Sequence, residues 1–359
     1  MIVPLMRPSL PPKEDFLKIV DELWETRMLS NFAKHSQLME QTAKDYFKSE
    51  RNFLSVVSCD IGLILLLKCF NLPKGSEVIV PSFTFNSTVN AIVWNGLKPV
   101  FADIEELAYG IDPESVRSKI TPNTSAIIGV HIFGDPCYVA DLENIAKENN
   151  IKLIFDAAHA YGAKFWDKHV CEFGDAGAFS FSGTKLITSA EGGLVYIKDP
   201  EIADRFKMAR NYGFYGDYNT KMLGLNGKIS EFHAGLAHLA MRDIDKIMTR
   251  RSEVAMEYCL RIKDQGHQHV APVVTSTHKD YAIELDNRDA AYDYLASKGI
   301  QTKKYFFPNH MTDFFKSDSV NLPNTEKLYN RILCLPIFND ITDEQVNYVI
   351  ETVNSFIAK

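Results

Sequence analysis

The sequence predicts an α/β fold with a mostly parallel central sheet and a smaller α+β C-terminal domain. Three observations carry that reading. Between Glu77 and Phe155, short apolar strands alternate with helices. Each strand is a near-continuous apolar run, as in a sheet covered on both faces. A chain of 359 residues can bury a sizeable core and commonly divides in two. The expected division gives residues 1–240 to an N-terminal segment and large domain, and 241–359 to a small C-terminal domain.

Taken in order, residues 12–25 place Phe16, Ile19, Val20, Leu23 and Trp24 at helical spacing. Residues 31–36 read as a loop and 37–49 as a second helix. Leu54-Ser55-Val56-Val57 is a short strand that Ser58-Cys59-Asp60 turns into the apolar helix 61–70. A strand feeding straight into a helix N-terminus presents unpaired N–H groups and a dipole to an anion. The other reading of the same turn is an ordinary helix start with Asp60 as N-cap. Strands over 77–80, 99–103, 126–131 and 152–155 then alternate with helices over 85–95, 113–119 and 138–149. Residues 178–181 and 193–197 add two strands, and 201–211 a helix. Residues 212–227 form a loop rich in glycine and tyrosine, and loops of that length in a compact chain are usually functional. Residues 230–262 read as long helical segments that start at Ser230-Glu231 and carry Arg250-Arg251 on a solvated face. Strands over 270–274 and 281–285, a helix over 289–298 and a terminal helix over 343–358 complete the chain.

Composition narrows the function classes. A net charge of −7 argues against general nucleic-acid or anionic-membrane binding, although a local basic pocket can still hold a phosphate. No apolar run approaches the length that spans a bilayer, and the N-terminus MIVPLMRPSLPPKEDF has no long signal-peptide h-region. The six cysteines are scattered without a C-x-x-C pair, a pattern of free thiols in a reducing compartment. A cytoplasmic location is expected.

The chemistry concentrates between Asp156 and Gly193. Asp156-Ala157-Ala158-His159 closes the apolar run Leu153-Ile154-Phe155, and Lys185 follows the strand that ends at Phe181. Open α/β sheets bind ligands at such strand ends. An acid and a lysine held at neighbouring strand ends, with small residues between them, suit a bound aldehyde cofactor better than a core. The plainer readings are a solvated surface lysine, a strand-end turn aspartate and a structural histidine.

Several stretches, in this order along the chain, resemble the DegT/DnrJ/EryC1/StrS family of nucleotide-sugar aminotransferases. They are Pro81-Ser82-Phe83-Thr84-Phe85 with Ser87-Thr88, Val130-His131-Ile132-Phe133-Gly134, Asp156 to Gly162, Phe179-Ser180-Phe181 to Lys185, and Glu191-Gly192-Gly193. Gly224-x-Asn226-Gly227-Lys228-x-Ser230-Glu231, Cys334 to Phe338 and Thr342 to Val346 follow. The resemblance implies the type I aminotransferase fold and pyridoxal 5′-phosphate (PLP) as cofactor, with pyridoxamine phosphate as intermediate. It implies that Lys185 is the Schiff-base lysine, that Asp156 pairs with the pyridine nitrogen, and that His159 contacts the ring or its phenolic oxygen. Phe85 would stack on the ring. Ser180 and the backbone N–H groups of Cys59 and Asp60 would hold the phosphate. Asn226 or Lys228 would reach the phosphate in the neighbouring subunit of a homodimer with shared active sites.

Three departures from the family pattern bear on substrate. Asp60 stands where many relatives have threonine, and a carboxylate beside a phosphate is unfavourable unless it turns away. Ser182 stands where relatives often have histidine. Asn31-Phe32-Ala33-Lys34 replaces a more glycine-rich loop near the sugar. The implied reaction moves an amino group from L-glutamate to a nucleotide-linked 4-keto-6-deoxy sugar, dTDP-linked, for surface glycan or aminosugar biosynthesis. A 3-keto sugar aminotransferase and a PLP-dependent sugar 3-dehydrase are the alternatives; an intact Lys185 counts against the latter.

Overall fold

Between Asn52 and Asp156 nine strands and α-helices come in simple alternation, and they position everything that follows. In the computed structural model, which describes residues 1–263, 266–267, 272–316 and 320–358, α1 (Lys13–Thr26) and α2 (Lys34–Phe47) precede β1 (Asn52–Val56). Then come α3 (Cys59–Phe70), β2 (Glu77–Pro81), α4 (Asn86–Trp94), β3 (Lys98–Ala102), α5 (Pro113–Lys119), β4 (Thr124–Val130), α6 (Val139–Asn149) and β5 (Lys152–Asp156). The short strands β6 (Lys164–Phe165) and β7 (Lys168–His169) form a ribbon before β8 (Ala176–Ser180), β9 (Gly193–Ile197) and α7 (Pro200–Ala209). The chain continues through α8 (Glu231–Met241), α9 (Ile244–Arg261), β10 (Gly266–His267), β11 (Val274–Thr275) and β12 (Tyr281–Glu284). It ends with α10 (Arg288–Ser297), α11 (Pro323–Arg331), β13 (Ile332–Leu335) and α12 (Asp343–Ile357).

The large sheet has the order β1-β9-β8-β5-β4-β2-β3. The β3-β2-β4-β5-β8 block is parallel, and β9 alone runs against both β8 and β1. Neighbouring residues on one strand serve two different cores because a strand alternates its faces. Ile127 and Phe155 pack with α2, α6 and α8, while Ile128 and Ile154 pack with α3, α4 and α7. That double burial is why these strands read as continuous apolar runs.

A three-stranded sheet of β10, β12 and β13 sits against α9, α10 and α12 around a third core. Val3 belongs to this core and bridges Ile300, so the first residues of the chain pack at its far end. A fourth cluster joins the two units, with Phe83, Val130 and Phe133 on one side and Ala282, Phe306 and Cys334 on the other. No helix among the described residues is long and apolar enough to cross a membrane.

Four local expectations change. The helix after β1 starts at Cys59 and is capped by Ser58, whose Oγ accepts from the Ile61 N–H (3.2 Å), so Asp60 lies inside the first turn and is not the N-cap. Helix α2 begins at Lys34, three residues before the expected start. Its cap is not local: the buried Glu231 carboxylate accepts from the N–H groups of His35 (2.6 Å) and Ser36 (3.3 Å). An acid at a helix N-terminus also offsets the dipole. Arg251 is buried rather than solvated, because its guanidinium donates to Asn339 and to the carbonyls of His278, Lys279 and Ile337. Of the strand expected over 270–274, Pro272 and Val273 form a turn and only Val274 is in a strand, paired with Phe165; residues 270 and 271 lie outside the described residues.

Glu231→Ala would strip two buried N–H groups at the start of α2 of their acceptor. The expected loss is about 1–3 kcal/mol of stability, measured by urea unfolding, with Glu231→Gln recovering part of it. Equal unfolding midpoints for Glu231→Ala and the parent chain would refute the remote cap.

Candidate active site

One edge of the large sheet collects the C-terminal ends of β1, β2, β4, β5 and β8 and the start of the antiparallel β9. A cavity of about 380 Å³ opens there, in the size range of ordinary small-molecule sites. Seven of the nine residues expected in the site line it: Lys185, Asp156, His159, Ser180, Phe85, Cys59 and Asp60. Asn226 and Lys228 do not.

The acid pole is built by β5 and α4. Asp156 is the last residue of β5 and is buried. Its Oδ2 accepts from Thr88 Oγ1 (2.6 Å), which is itself bonded to Thr84 Oγ1 (2.9 Å), and its Oδ1 accepts from the Ala158 N–H (3.0 Å). Burial raises the Asp156 pKa from its ordinary value, while Thr88, Ala158 and then Lys185 pull it back. Three residues on, His159 faces Phe306 with ring centroids 6.3 Å apart. Burial, followed by the charges of Lys185 and Lys279, holds its imidazole well below the usual histidine value and therefore neutral.

Lys185 follows β8 in a turn closed by its own N–H to the Ser182 carbonyl (3.0 Å). Burial, then the Lys279 ammonium, push its amine down to about 8 against the pull of Asp156. A shift of that size leaves roughly a quarter of the amine neutral at pH 7.5, against about a thousandth for an ordinary lysine.

The anion end lies where α3 begins. Gly193 opens β9 between Val56 of β1 and Ser180 of β8. A Cβ on Gly193 would stand 2.8 Å from the backbone of Ser58 and Cys59. Only a bare backbone at this point lets the first turn of α3 sit beside Ser180. The N–H groups of that turn and the Ser180 hydroxyl form a cradle fit for a phosphate. The Asp60 side chain is exposed.

The remaining two expected residues lie together elsewhere. Lys228 Nζ sits 4.5 Å above the Tyr212 ring and 3.4 Å from Asn211 Oδ1, and Asn226 bridges Asn211. The 31–34 loop, expected near the sugar, is absent from the cavity of its own chain; Phe32 instead packs 4.3 Å beneath the Arg210 guanidinium. Sequence reading passed over Lys279, Lys303, Tyr305 and Phe306, which the C-terminal part contributes to the cavity. The basic and aromatic run Lys303-Lys304-Tyr305-Phe306-Phe307 was the one available signal for three of them.

The family model for the DegT/DnrJ/EryC1/StrS aminotransferases matches residues 12–354. The chain belongs to that family. Among its DegT-family relatives, the dTDP-4-amino-4,6-dideoxy-D-glucose transaminase of Shigella dysenteriae is 30% identical over 97% of both chains. The dTDP-3-amino-3,6-dideoxy-alpha-D-galactopyranose transaminase of Aneurinibacillus thermoaerophilus is 33% identical over 82% of this chain and 83% of that one. The solved structure of DesI in the presence of its TDP-sugar product is 29% identical, with a TM-score of 0.91 over 98% of this chain and 94% of that one. The protein is therefore a PLP-dependent nucleotide-sugar aminotransferase with the type I aminotransferase fold.

The residues present fit that cofactor. A protonated pyridine nitrogen against Asp156 would offset the cost of burying the carboxylate. The lowered pKa of Lys185 suits an amine that must react with an aldehyde, and the close approach of Gly193 to Ser58 and Cys59 sets the first turn of α3 beside Ser180.

Gly193→Ala is expected to displace the first turn of α3 and weaken PLP binding by about 1–3 kcal/mol, the usual range for overpacking. Equilibrium dialysis of the cofactor measures it, and unchanged affinity would count against the cradle.

Proposed function

We propose that this DegT-family enzyme transfers the amino group of L-glutamate to C4 of a dTDP-linked 4-keto-6-deoxyhexose. One observation carries the choice of position and nucleotide: near full-length similarity to a dTDP-4-amino-4,6-dideoxy-D-glucose transaminase, at 30% identity. The 33% identical 3-amino relative favours a second reading, amination at C3, over a smaller share of the chain. Retention of Lys185 in the cavity opposes the dehydrase reading.

Bound PLP would supply an aldehyde carbon to carry the amino group, with glutamate leaving as 2-oxoglutarate, and a ring that acts as electron sink. Lys185 is the reactive amine and moves the proton between cofactor and substrate carbon. Asp156 keeps the pyridine nitrogen protonated, and the Thr84–Thr88 hydroxyl relay holds its carboxylate in place. His159, held neutral, offers the phenolic oxygen a hydrogen bond without adding a charge. Phe85 covers the open face of the ring, and its 58% exposure in a single chain is consistent with a surface that substrate or cofactor covers. Ser180 and the N–H groups of Cys59 and Asp60 take the phosphate.

Asn226 or Lys228 completes the site of a second copy in a homodimer. Their position outside their own cavity supports this, as do the exposed side chains of Tyr215, Tyr218 and Leu223 in the same loop and Trp94 across from it. Phe32 packs on Arg210, whose carbonyl accepts from the Gly227 N–H beside Asn226 and Lys228, and this supports a role for the loop at the same partner-facing surface.

Incubation with PLP, L-glutamate and a panel of nucleotide 4-keto and 3-keto sugars should release 2-oxoglutarate and a 4-amino sugar. A product aminated at C3 would replace the first reading by the second, and no amine from any sugar would sink both. Lys185→Ala should lose on the order of 10²–10⁴-fold or more in turnover and its PLP absorbance in the visible. Because only the deprotonated amine attacks, PLP capture by the cofactor-free chain should slow about tenfold per pH unit below the Lys185 value of about 8 and level off above it. A profile still rising steeply above pH 9 would contradict the lowered amine.

A further inference from the structure

The segment Ser276–Asp280 leads from β11 into β12 along the cavity wall, and it is held on both sides. Toward the large sheet, the Thr277 N–H donates to the Gly134 carbonyl (3.1 Å) and the Lys279 N–H to the Phe133 carbonyl (2.8 Å). The Thr277 hydroxyl donates to the His159 carbonyl (2.6 Å), tying the segment to the Asp156–His159 turn. Phe133 and Gly134 present their carbonyls through positive φ values of 56° and 101°. A Cβ on Gly134 would collide with Thr277 Oγ1, so the H-x-x-G glycine makes room for this contact. From the other side, Arg251 of α9 donates to the carbonyls of His278 (2.9 Å) and Lys279 (3.2 Å) and to Asn339 Oδ1 (3.0 Å).

Lys279 is the residue this clamp carries into the cavity. Its side chain is 4% exposed, and its ammonium rests 3.0 and 3.1 Å from the two oxygens of Asp280, itself 5% exposed. A buried ion pair gains little stability over an apolar pair of the same size. Its presence beside a reactive amine therefore calls for another account.

We propose that Lys279 is a positioning residue for amino transfer: clamped in the cavity wall, it fixes a positive charge in the cavity that holds the Lys185 amine. The inference rests on Lys185 being the reactive lysine. The ammonium end of the pair dominates at Lys185, because repulsion by Lys279 outweighs attraction by Asp280. Asp156 and Cys59 also face Lys185 and oppose the effect. Asp60, His159, Glu191 and Lys303 line the same cavity, with His159 neutral. Around Lys279 stand Asp280, Arg251, the buried Cys334 and His278; burial and Arg251 lower His278 to about 4, so it adds no charge. An adjacent cation is an established way to lower the pKa of a nucleophilic lysine.

Reductive methylation of the cofactor-free full chain from about pH 6 to about pH 10, with Lys185 followed by peptide mass spectrometry, reads the amine directly. The midpoint should lie near 8 in the parent chain. It should rise by about one unit or more in Lys279→Met, so that roughly tenfold less amine is neutral near pH 7. The double variant Lys279→Met/Asp280→Asn, which leaves no bare buried carboxylate, should rise by less but in the same direction. Lys279→Arg should restore the parent midpoint. An unchanged midpoint in both Met variants overturns the proposal. So does a rise confined to the single variant, which would belong to the bared Asp280, or a failure of Lys279→Arg to restore it, which would belong to packing. Borohydride trapping of PLP on the parent chain tests the underlying reading separately: a trapped lysine other than Lys185 would refute that reading, whatever the midpoints do.

Discussion

The Asp156 carboxylate at the end of β5 is the constraint on which the site depends. It is buried at the sheet edge, and burial disfavours its charged form. What holds it as an acceptor is a small set of donors supplied by separate elements: Thr88 from α4 and the Ala158 N–H from the turn that follows β5. Those donors can be there only if β2 delivers α4 over the same edge, and β2 is separated from β5 by β4 alone. The parallel order of the sheet is therefore part of the electrostatics. It brings the α4 N-terminal turn, the β5 end and the β8 end to one side, where a cation against Asp156 has a fixed place.

The phosphate end depends on a different device. A parallel sheet would leave β8 as its edge, but β9 returns antiparallel and lets β1 join beyond it. This puts the start of α3 beside Ser180, two strands away from where chain order would have left it. The return works because Gly193 sits between the two strands with its backbone against Ser58 and Cys59. The Asp156 end of β5 and the Ser180 end of β8 are thus on adjacent strands, and Lys185 comes from the segment that joins β8 to β9.

Much of this was legible in the sequence because it depends on local signals. The apolar runs marked the strands, and Asp156, Lys185 and the Glu-Gly-Gly turn lay at their exits. What was not legible depends on contacts remote in sequence. The start of α2 was misplaced because its cap is Glu231, 196 residues from His35, and no local pattern around Ala33 announces it. Arg251 read as a surface residue because arginine usually is one, whereas its acceptors are the carbonyls of a segment beyond α9 and Asn339. Asp60 looked like a cap because the strand was expected to end one residue later than it does; once β1 stops at Val56, Ser58 takes the role. Lys279 gave no signal at all, since a charged pair before a strand is ordinary.

These remote contacts share a function, which is to make the C-terminal part a wall of the site and not only a neighbour of it. Arg251 and Thr277 grip the same short segment from opposite sides, one from α9 and one through the His159 carbonyl. The shared apolar cluster around Phe133 and Phe306 seals the space between the two units. The proposed roles then divide: the large sheet would supply the acid, the phosphate cradle and the lysine, while the small unit would supply the charge that disfavours protonation of that lysine. A substitution in α9 that loosens Arg251 would then reach the chemistry without touching a single residue of the sheet edge, because the path runs through the 276–280 backbone.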